Sequence, residues 1–270
     1  MLIPAQLKQF GTIFSFDAQY RVTGAQDAKN NVALFSYDQR NNVTGVTDRR
    51  GFSWSFDELR ALPAARVTAT MECAGNSRVF LVPKVKGVQW GLGAIGNAEW
   101  TGVSLGARLR QAGPKTGGRE VILEGADAGT IGEAPKPAGK IHYARSLSLG
   151  KALENVLLAY EMNGQPLPPS HGFPLRAIVP GWYGMAAVKW LQRIIVTERS
   201  FHGYYQTIDY AFWQRDDDGA RLTPITEMQV KAAIARPGMN EVVAAGADYK
   251  VIGAAWTADA EIVKVELSTD

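Results

Sequence analysis

Short strand-like runs, separated by turns rich in glycine and proline, restrict this chain to a fold with few and brief helices. Alternating apolar and polar residues predict a strand over residues 66–72, and similar runs recur in REVILEGA, LLAYEM, LRAIVPG and VKWLQRIIVTE. Capped helical patterns are confined to residues 55–62 and 104–112. The predicted class is therefore α+β.

Two irregular segments interrupt the strand pattern. Residues 125–140 are rich in Gly, Pro and Ala and predict a long loop beside a site, and residues 214–224 predict a polar break, after which the pattern changes. The runs VKAAIARPG, EVVAAGADYKVIGAAW and AEIVKVELS then predict strands at the spacing of a β-sandwich. Because a sandwich needs about seven strands, we predict one domain over residues 1–220 and the start of an incomplete sandwich over residues 221–270.

Composition and charge exclude several classes of protein. The chain is 46% apolar and 20% charged, with a net charge of +3 that is scattered rather than clustered, so no nucleic-acid stripe is predicted. No run approaches the ~20 apolar residues of a membrane span. The N-terminus lacks the pattern of a signal peptide, which leaves periplasmic and cytoplasmic locations open. A single cysteine excludes an internal disulfide and a cysteine-rich metal site.

The motif MECAGNSR places that cysteine, Cys73, where a strand ends and a turn of small residues begins. Arg78 follows five residues later, and a nearby cation with turn amides favours the thiolate form of a cysteine. A thiolate is the soft ligand that transition metals prefer. A lone cysteine is equally compatible with simple packing in a core, because free cysteine is among the most buried residue types.

Two further segments concentrate unusual residue types. The run of residues 171–191 contains His171, Arg176 and Lys189 in an otherwise apolar stretch stiffened by Pro and Gly, so these groups could grip a phosphate and a polar heterocycle. They could also cap turns and lie on the surface. Residues 87–105 are rich in Gly and Trp but lack a nucleotide-binding glycine motif. Trp100 is expected in the core.

Taken together, these segments resemble the sulfite-oxidase family of molybdopterin enzymes, most closely the bacterial members without a haem domain. The matching pieces are MECAGNSR, VKGVQWGLGAIGNAEWTGV, LLAYEMNGQPLPPSHGFPLRAIVPGWYGMAAVKWL and GYYQTIDYAFW, which occur in the family's order over residues 55–215. The resemblance implies a sulfite-oxidase-type molybdopterin-binding fold, followed by a truncated immunoglobulin-like sandwich.

The resemblance also implies roles for particular residues. Cys73 would bind molybdenum through its sulfur, while Arg78, Trp90 and Tyr210 would form the catalytic pocket for an anion. The residues implied for binding the molybdenum–molybdopterin cofactor are Cys73, His171, Arg176, Val188 and Lys189. Two expected features are missing: an Arg-Asn-His element, for which residues 40–42 (RNN) lie too close to the following segment, and a third pocket arginine, expected beyond residue 270.

The implied reaction is oxygen-atom transfer that converts sulfite to sulfate. An external one-electron acceptor, such as a c-type cytochrome, would take the electrons, and the full-length protein would be a homodimer. Two alternatives remain open: a related molybdenum enzyme that reduces S-oxides such as methionine sulfoxide, and a catalytically impaired homologue that only binds the cofactor.

Overall fold

The structure is a computed structural model that describes residues 6–9, 12–19, 21–26, 32–37, 43–47 and 53–268. The chain divides into two compact units, Met1–Ala64 and Ala65–Asp270. The first contains a six-stranded antiparallel sheet in which each strand pairs with the next along the chain. Its elements are β1 (Gln6–Gln9), β2 (Thr12–Phe16), β3 (Val22–Gln26), β4 (Val32–Tyr37), β5 (Val43–Thr47), β6 (Ser53–Ser55) and α1 (Phe56–Arg60). The RNN segment at residues 40–42 lies outside the described residues.

The second unit carries every predicted site residue. Its elements are β7 (Ala65–Glu72), β8 (Ile95–Ser104), α2 (Leu105–Ala112), β9 (Glu120–Thr130), β10 (Lys140–Ser148), α3 (Leu149–Glu154), β11 (Leu157–Met162), β12 (Gln165–Pro166), β13 (Arg176–Ile178), β14 (Leu191–Thr197), β15 (Ala211–Asp216), β16 (Gly219–Pro224), β17 (Lys231–Arg236) and β18 (Ile252–Trp256). The predicted helix over residues 104–112 and the predicted strand over residues 66–72 are both confirmed.

One sheet of the second unit has the order β12-β11-β8-β7, with β13 also paired to β11. Its buried face is formed by small and apolar residues, including Ala69, Ala159 and Ile178, which pack around Trp100. Trp100 is therefore a core residue, as expected. Strands β8 and β11 approach closely at Gly102, where a Cβ atom would lie 2.1 Å from the Leu158 carbonyl oxygen. Only glycine fits between them.

A second sheet has the order β10-β9-β14, and two separate hairpins follow, β15-β16 and β17-β18. Helices α2 and α3 are preceded by Ser104 and Ser148, whose side chains accept hydrogen bonds from Ala107 N and Lys151 N at 3.2 Å each. These serines cap amides that the first turn leaves unpaired. Within the described part of the chain, the helices are all too short or too polar to cross a bilayer.

Three predictions about secondary structure were wrong. The loop expected over residues 125–140 is shorter, because β9 continues to Thr130 and β10 begins at Lys140. The polar break over residues 214–224 is a hairpin whose Gly219 adopts φ +120° at the turn. Its strands are largely exposed, which explains their polar sequence. Residues 260–268 form no strand, and only residues 252–256 of EVVAAGADYKVIGAAW do.

Candidate functional site

Cys73 lies directly after β7, at the first position of a tight turn, and its side chain is exposed. The Gly75 amide donates to the Cys73 sulfur at 3.4 Å, and the Asn76 amide donates to the Cys73 carbonyl at 2.8 Å. The Cys73 amide donates to the Ala94 carbonyl at 2.9 Å, which ties the turn to the start of β8. Backbone hydrogen bonds thus hold Cys73 in place while its sulfur remains accessible to solvent. This excludes the alternative that the cysteine is packed in a core.

The turn is anchored from behind by Glu72, a carboxylate that is fully buried. Glu72 accepts hydrogen bonds from Asn76 Nδ2 at 2.9 Å, from Lys231 Nζ at 2.6 Å and from Trp256 Nε1 at 2.8 Å. Burial lowers the pKa of Lys231, but its hydrogen bond to Glu72 and the charge of Glu72 raise it above the ordinary value. Strands β17 and β18 therefore hold the residue next to Cys73, although they lie more than 150 positions away in the sequence.

The Arg78 guanidinium lies against two glycines. A Cβ atom at Gly87 would be 2.1 Å from Arg78 Nη1, and one at Gly75 would be 2.6 Å from Nη2. Arg78 Nη1 also donates to the Val88 carbonyl at 3.0 Å. Because larger residues at either position would displace the guanidinium, the small residues of these turns decide where the Arg78 charge lies.

Trp90 belongs to the segment that pairs with the cysteine turn. The Val79 amide donates to the Trp90 carbonyl at 3.1 Å, and the Ser77 amide donates to the Gly91 carbonyl at 2.7 Å. The Trp90 side chain is 46% exposed, in contrast to Trp100 at 2%. The structure thus brings the backbone of Trp90 beside Cys73 and Arg78 and leaves its indole partly open to solvent.

Tyr210 follows a single π-helical turn, Tyr205–Asp209. The Tyr210 carbonyl accepts a hydrogen bond from the Ile225 amide at 2.9 Å, so the residue after β16 fixes its backbone. Single π-turns of this kind occur frequently at functional sites. The tyrosine is therefore held on both sides by local structure that the DY motif alone did not indicate.

The electrostatics of Tyr210 place it in the same neighbourhood as the cysteine turn. Burial raises the pKa of the Tyr210 phenol, and the charges of Asp209 and Cys73 raise it further. Arg145 and Arg78 act in the opposite direction. Because these effects require proximity, the charges of Cys73 and Arg78 lie close enough to Tyr210 to act on its phenol.

Arg145, in β10, is a buried residue near Tyr210 that the sequence analysis did not single out. It is fully buried, donates from Nη1 to the Tyr205 carbonyl and donates from Nη2 to the Ile225 carbonyl at 2.7 Å. Its Cζ atom lies 5.9 Å from the centroid of the Tyr210 ring. The available signal was a cation inside a short strand, YARSLSL, whose neighbours are small or apolar.

His171, Arg176 and Lys189 also converge. Arg176 is buried and donates from Nη1 to the His171 carbonyl and from Nη2 to the Ala187 carbonyl, each at 3.0 Å. Lys189 donates to the Ser170 carbonyl at 3.0 Å. Burial lowers the pKa of Arg176 to about 10. Arg176 and Lys189 thus bind both the loop before β13 and the loop before β14, and His171 takes part through its backbone carbonyl.

Val188 lies inside the second of these loops with 1% of its surface exposed. Its carbonyl accepts a hydrogen bond from the Ala177 amide at 2.9 Å, which attaches the loop to β13. Trp190 donates from its indole to the Pro169 carbonyl at 3.1 Å, and the Lys189 ammonium lies 4.3 Å from the Trp190 ring centroid. Backbone and side chains together therefore hold the two loops in contact.

Asp127 lies near Lys189 of this second group. Partial burial raises the pKa of its carboxyl, whereas the nearby charges of Lys189 and His142 lower it. Burial raises the pKa of Tyr143, and the charges of Tyr210 and Asp127 raise it further. Tyr143 is thus close to both groups, and its hydroxyl donates to the Met185 carbonyl at 2.7 Å.

The donor set limits the kind of metal site that is possible. Among the described residues, no group of three His, Cys, Asp or Glu side chains is arranged to hold a metal ion. One exposed sulfur is available at Cys73. A metal held here by a single soft protein ligand would take its other ligands from an organic group or from water. The residues present therefore fit a metal carried by a pterin, which is the cofactor expected from the sequence.

Comparison with known proteins supports the same assignment. Residues 37–205 match the family described as oxidoreductase molybdopterin binding domain. Mitochondrial sulfite oxidase from Mus musculus is 37% identical over 234 residues, which cover 82% of this chain and 41% of that protein. Sulfite oxidase from Gallus gallus is 40% identical over 236 residues, which cover 82% of this chain and 50% of that protein.

Sequence similarity extends to nitrate reductases at lower identity. A nitrate reductase [NADPH] from Fusarium oxysporum is 34% identical over 221 residues, which cover 74% of this chain and 23% of that protein. The chain thus spans half or less of the length of these curated relatives. The crystal structure of the sulfane dehydrogenase SoxCD from Paracoccus pantotrophus superposes with a TM-score of 0.63 at 23% identity, over 95% of this chain and 65% of that one.

These findings confirm the predicted resemblance and the coarse fold, which is rich in strands and poor in helices. The structural match supports the fold, and the family match extends over more than half of the chain. This chain belongs to the oxidoreductase molybdopterin binding domain family.

Proposed function

We propose that this chain is the cofactor-binding part of a molybdenum-dependent oxidoreductase that oxidises sulfite to sulfate. The observation that carries the proposal is the exposed Cys73 sulfur in a turn against which the Arg78 guanidinium lies. In the proposal, Tyr210 completes one cleft with these two residues. The 37–40% identity to sulfite oxidases supports sulfite as the substrate. A c-type cytochrome is the proposed type of external one-electron acceptor.

In this proposal, one residue binds the metal and four others bind the pterin. The Cys73 thiolate is the protein ligand to molybdenum, and His171, Arg176, Val188 and Lys189 lie where the pterin and its phosphate bind. When bound, the molybdenum cofactor supplies the two-electron redox chemistry, while the protein provides geometry and charge.

The substrate side of the cleft consists of Arg78, Trp90 and Tyr210. Arg78 offers a fork of donors that suits an oxyanion. Because burial raises the pKa of Tyr210, its phenol keeps its proton at neutral pH and can donate a hydrogen bond to the same anion. The half-exposed Trp90 indole is proposed to line the same side of the cleft.

The finer architecture also belongs to this proposal. Residues 1–220 form the cofactor-binding domain, and residues 221–270, with the β17-β18 hairpin, begin an immunoglobulin-like sandwich through which the full-length protein dimerises. The hairpin's antiparallel pairing supports this assignment, because a sandwich is built from such pairs.

Elemental and pterin analysis of the purified protein, followed by sulfite-dependent reduction of cytochrome c or ferricyanide, tests the proposal. We expect about one molybdenum per chain and turnover with sulfite. Reduction of methionine sulfoxide or nitrate without sulfite oxidation would assign the chain to another branch of the family. Bound cofactor without any turnover would identify an impaired homologue.

A further inference from the structure

The most unusual charged group outside the predicted site is Arg145. Its side chain is 0% exposed, its Nε has no hydrogen-bond partner, and no carboxylate within the described part of the chain forms an ion pair with it. Burial lowers its pKa, and the neighbouring phenols of Tyr143 and Tyr210 act in the opposite direction. A buried cation without a counter-ion is costly, so its presence needs a reason beyond packing.

The hydrogen bonds of Arg145 fix the backbone around Tyr210. One terminal nitrogen binds the carbonyl of Tyr205, the first residue of the π-turn that leads into Tyr210. The other binds the carbonyl of Ile225, whose amide in turn binds the Tyr210 carbonyl at 2.9 Å. The guanidinium therefore holds the backbone on both sides of Tyr210 while its charge lies 5.9 Å from the Tyr210 ring.

A purely structural tie between β10 and the π-turn already exists without a charge. The buried Gln206 side chain accepts from the Ser146 amide at 3.3 Å and donates to the Ser146 carbonyl at 3.4 Å. The rings of Tyr143 and Tyr205 also pack with their centroids 4.8 Å apart. These neutral contacts already connect the turn to β10, and none of them involves a charge.

We propose that Arg145 is the positioning residue for Tyr210 and the buried positive charge that makes the Cys73 cleft selective for an anionic substrate. The inference rests on the proposed function for the identity of the reaction. A guanidinium in a poorly solvated interior attracts an anion in the adjacent cleft more strongly than an exposed cation does, because water screens it less. Its rigid hydrogen bonds keep the Tyr210 hydroxyl at a constant place.

The test uses the full holoprotein with Arg145→Met, Arg145→Lys and Tyr210→Phe, alone and combined. Arg108→Met is the matched control, since Arg108 is a partly exposed helical arginine that binds Gln111. We expect Arg145→Met to raise the KM for sulfite about tenfold or more and to lower kcat. Arg145→Lys should restore KM through its charge but not kcat. In the Tyr210→Phe background, the effect of Arg145→Met on kcat should largely disappear.

A structural role alone would not separate KM from kcat in this way. Equal KM values for the Met, Lys and control variants, or losses that merely follow molybdenum content, would overturn the inference. Titration of the same proteins with sulfate, followed by calorimetry, separates this inference from the proposed function. Sulfate binding weakened in Arg145→Met but not in Arg108→Met supports the role of Arg145 even if sulfite is not oxidised. Equal sulfate affinity in the two variants, or no binding by the unsubstituted protein, overturns it.

Discussion

The turn around Cys73 and the loops that carry Arg176 and Lys189 use their polar side chains in opposite ways. In the cysteine turn (residues 72–78), the buried groups lie behind and the reactive sulfur faces outward. In the cation loops (residues 168–176 and 186–190), the charged side chains themselves turn back onto backbone carbonyls. The first region presents a ligand atom, whereas the second uses its cations to hold its own backbone together.

The difference follows from where hydrogen-bond partners are available. Glu72 accepts from one donor within the turn and from two donors in distant strands, so the turn is held mainly by Glu72, and the Cys73 sulfur accepts only the Gly75 amide. The cation loops lack such a buried anchor, and Arg176 satisfies carbonyls that would otherwise be unpaired in the interior. Substitutions in the cysteine turn should therefore affect activity, whereas substitutions in the cation loops should affect folding. Removal of the Glu72 anchor is the exception, because it should destabilise the cysteine turn as well.

The largest effect is expected for Cys73→Ser. A hydroxyl is a poor substitute for a soft thiolate, so sulfite oxidation should fall by ~10³-fold or more. The pterin content should be retained, because the proposed pterin contacts lie in the cation loops. Steady-state kinetics and pterin fluorescence on the same sample measure both quantities. Unchanged turnover would refute Cys73 as the metal ligand.

The next effect concerns the anchor of the cysteine turn. Lys231→Met leaves the fully buried Glu72 carboxylate without its cation and should lower the free energy of unfolding by about 3 kcal/mol. Lys264→Met is the control, because the Lys264–Glu266 pair is exposed, with side chains 69% and 75% accessible, and should change stability by less than ~0.5 kcal/mol. Urea denaturation of both variants gives the comparison. Similar losses in the two would remove the special role of Glu72.

A smaller loss is expected for Arg176→Lys in the cation loops. The shorter, single-headed cation cannot reach the carbonyls of His171 and Ala187 together, so unfolding should become easier by about 2 kcal/mol. Cofactor occupancy should fall with it, as measured by molybdenum content per chain. A variant with unchanged stability and low occupancy would instead make Arg176 a direct ligand of the cofactor alone.

Lys189→Ala sharpens the contrast within these loops. Lys189 is only partly buried and makes one hydrogen bond, to the Ser170 carbonyl. Its loss should cost less than ~1 kcal/mol of stability but should lower the occupancy of a phosphate-bearing cofactor. Full molybdenum occupancy in Lys189→Ala would contradict its role as a phosphate-binding residue.

The smallest effect is a dependence on alkaline pH. The pKa of Lys231 is raised above its ordinary 10.5 in the folded protein, mainly by Glu72 acting against burial. The stability that this shift contributes is therefore fully present below pH 10.5 and is lost as the pH rises through the higher folded pKa. The stability difference between the unsubstituted protein and Lys231→Met should be constant from neutral pH to pH ~9 and shrink only above 10.5. A decrease near neutral pH would show that another group controls the anchor.

Much of the candidate site could be predicted from local patterns. Sequence patterns predicted that β7 ends just before Cys73 and that small residues surround Arg78. They also showed that His171, Arg176 and Lys189 cluster within twenty residues. The extent of β9 was not, because its second half, ADAGT, lacks strand-forming residues and is held by pairing with β10. The hairpin at residues 211–224 was mistaken for a polar break for a similar reason, since exposed strands need no apolar face.

Local chemistry in the chain was sufficient to indicate a soft sulfur ligand, a cationic segment and a strand-rich fold. The burial of Glu72 against Lys231 and Trp256, and of Arg145 beneath Tyr210, was decided only when strands distant in sequence came together. The physical reason is that the cost of a buried charge depends on partners supplied by the whole fold. A pattern of neighbouring residues cannot reveal whether such partners will be present.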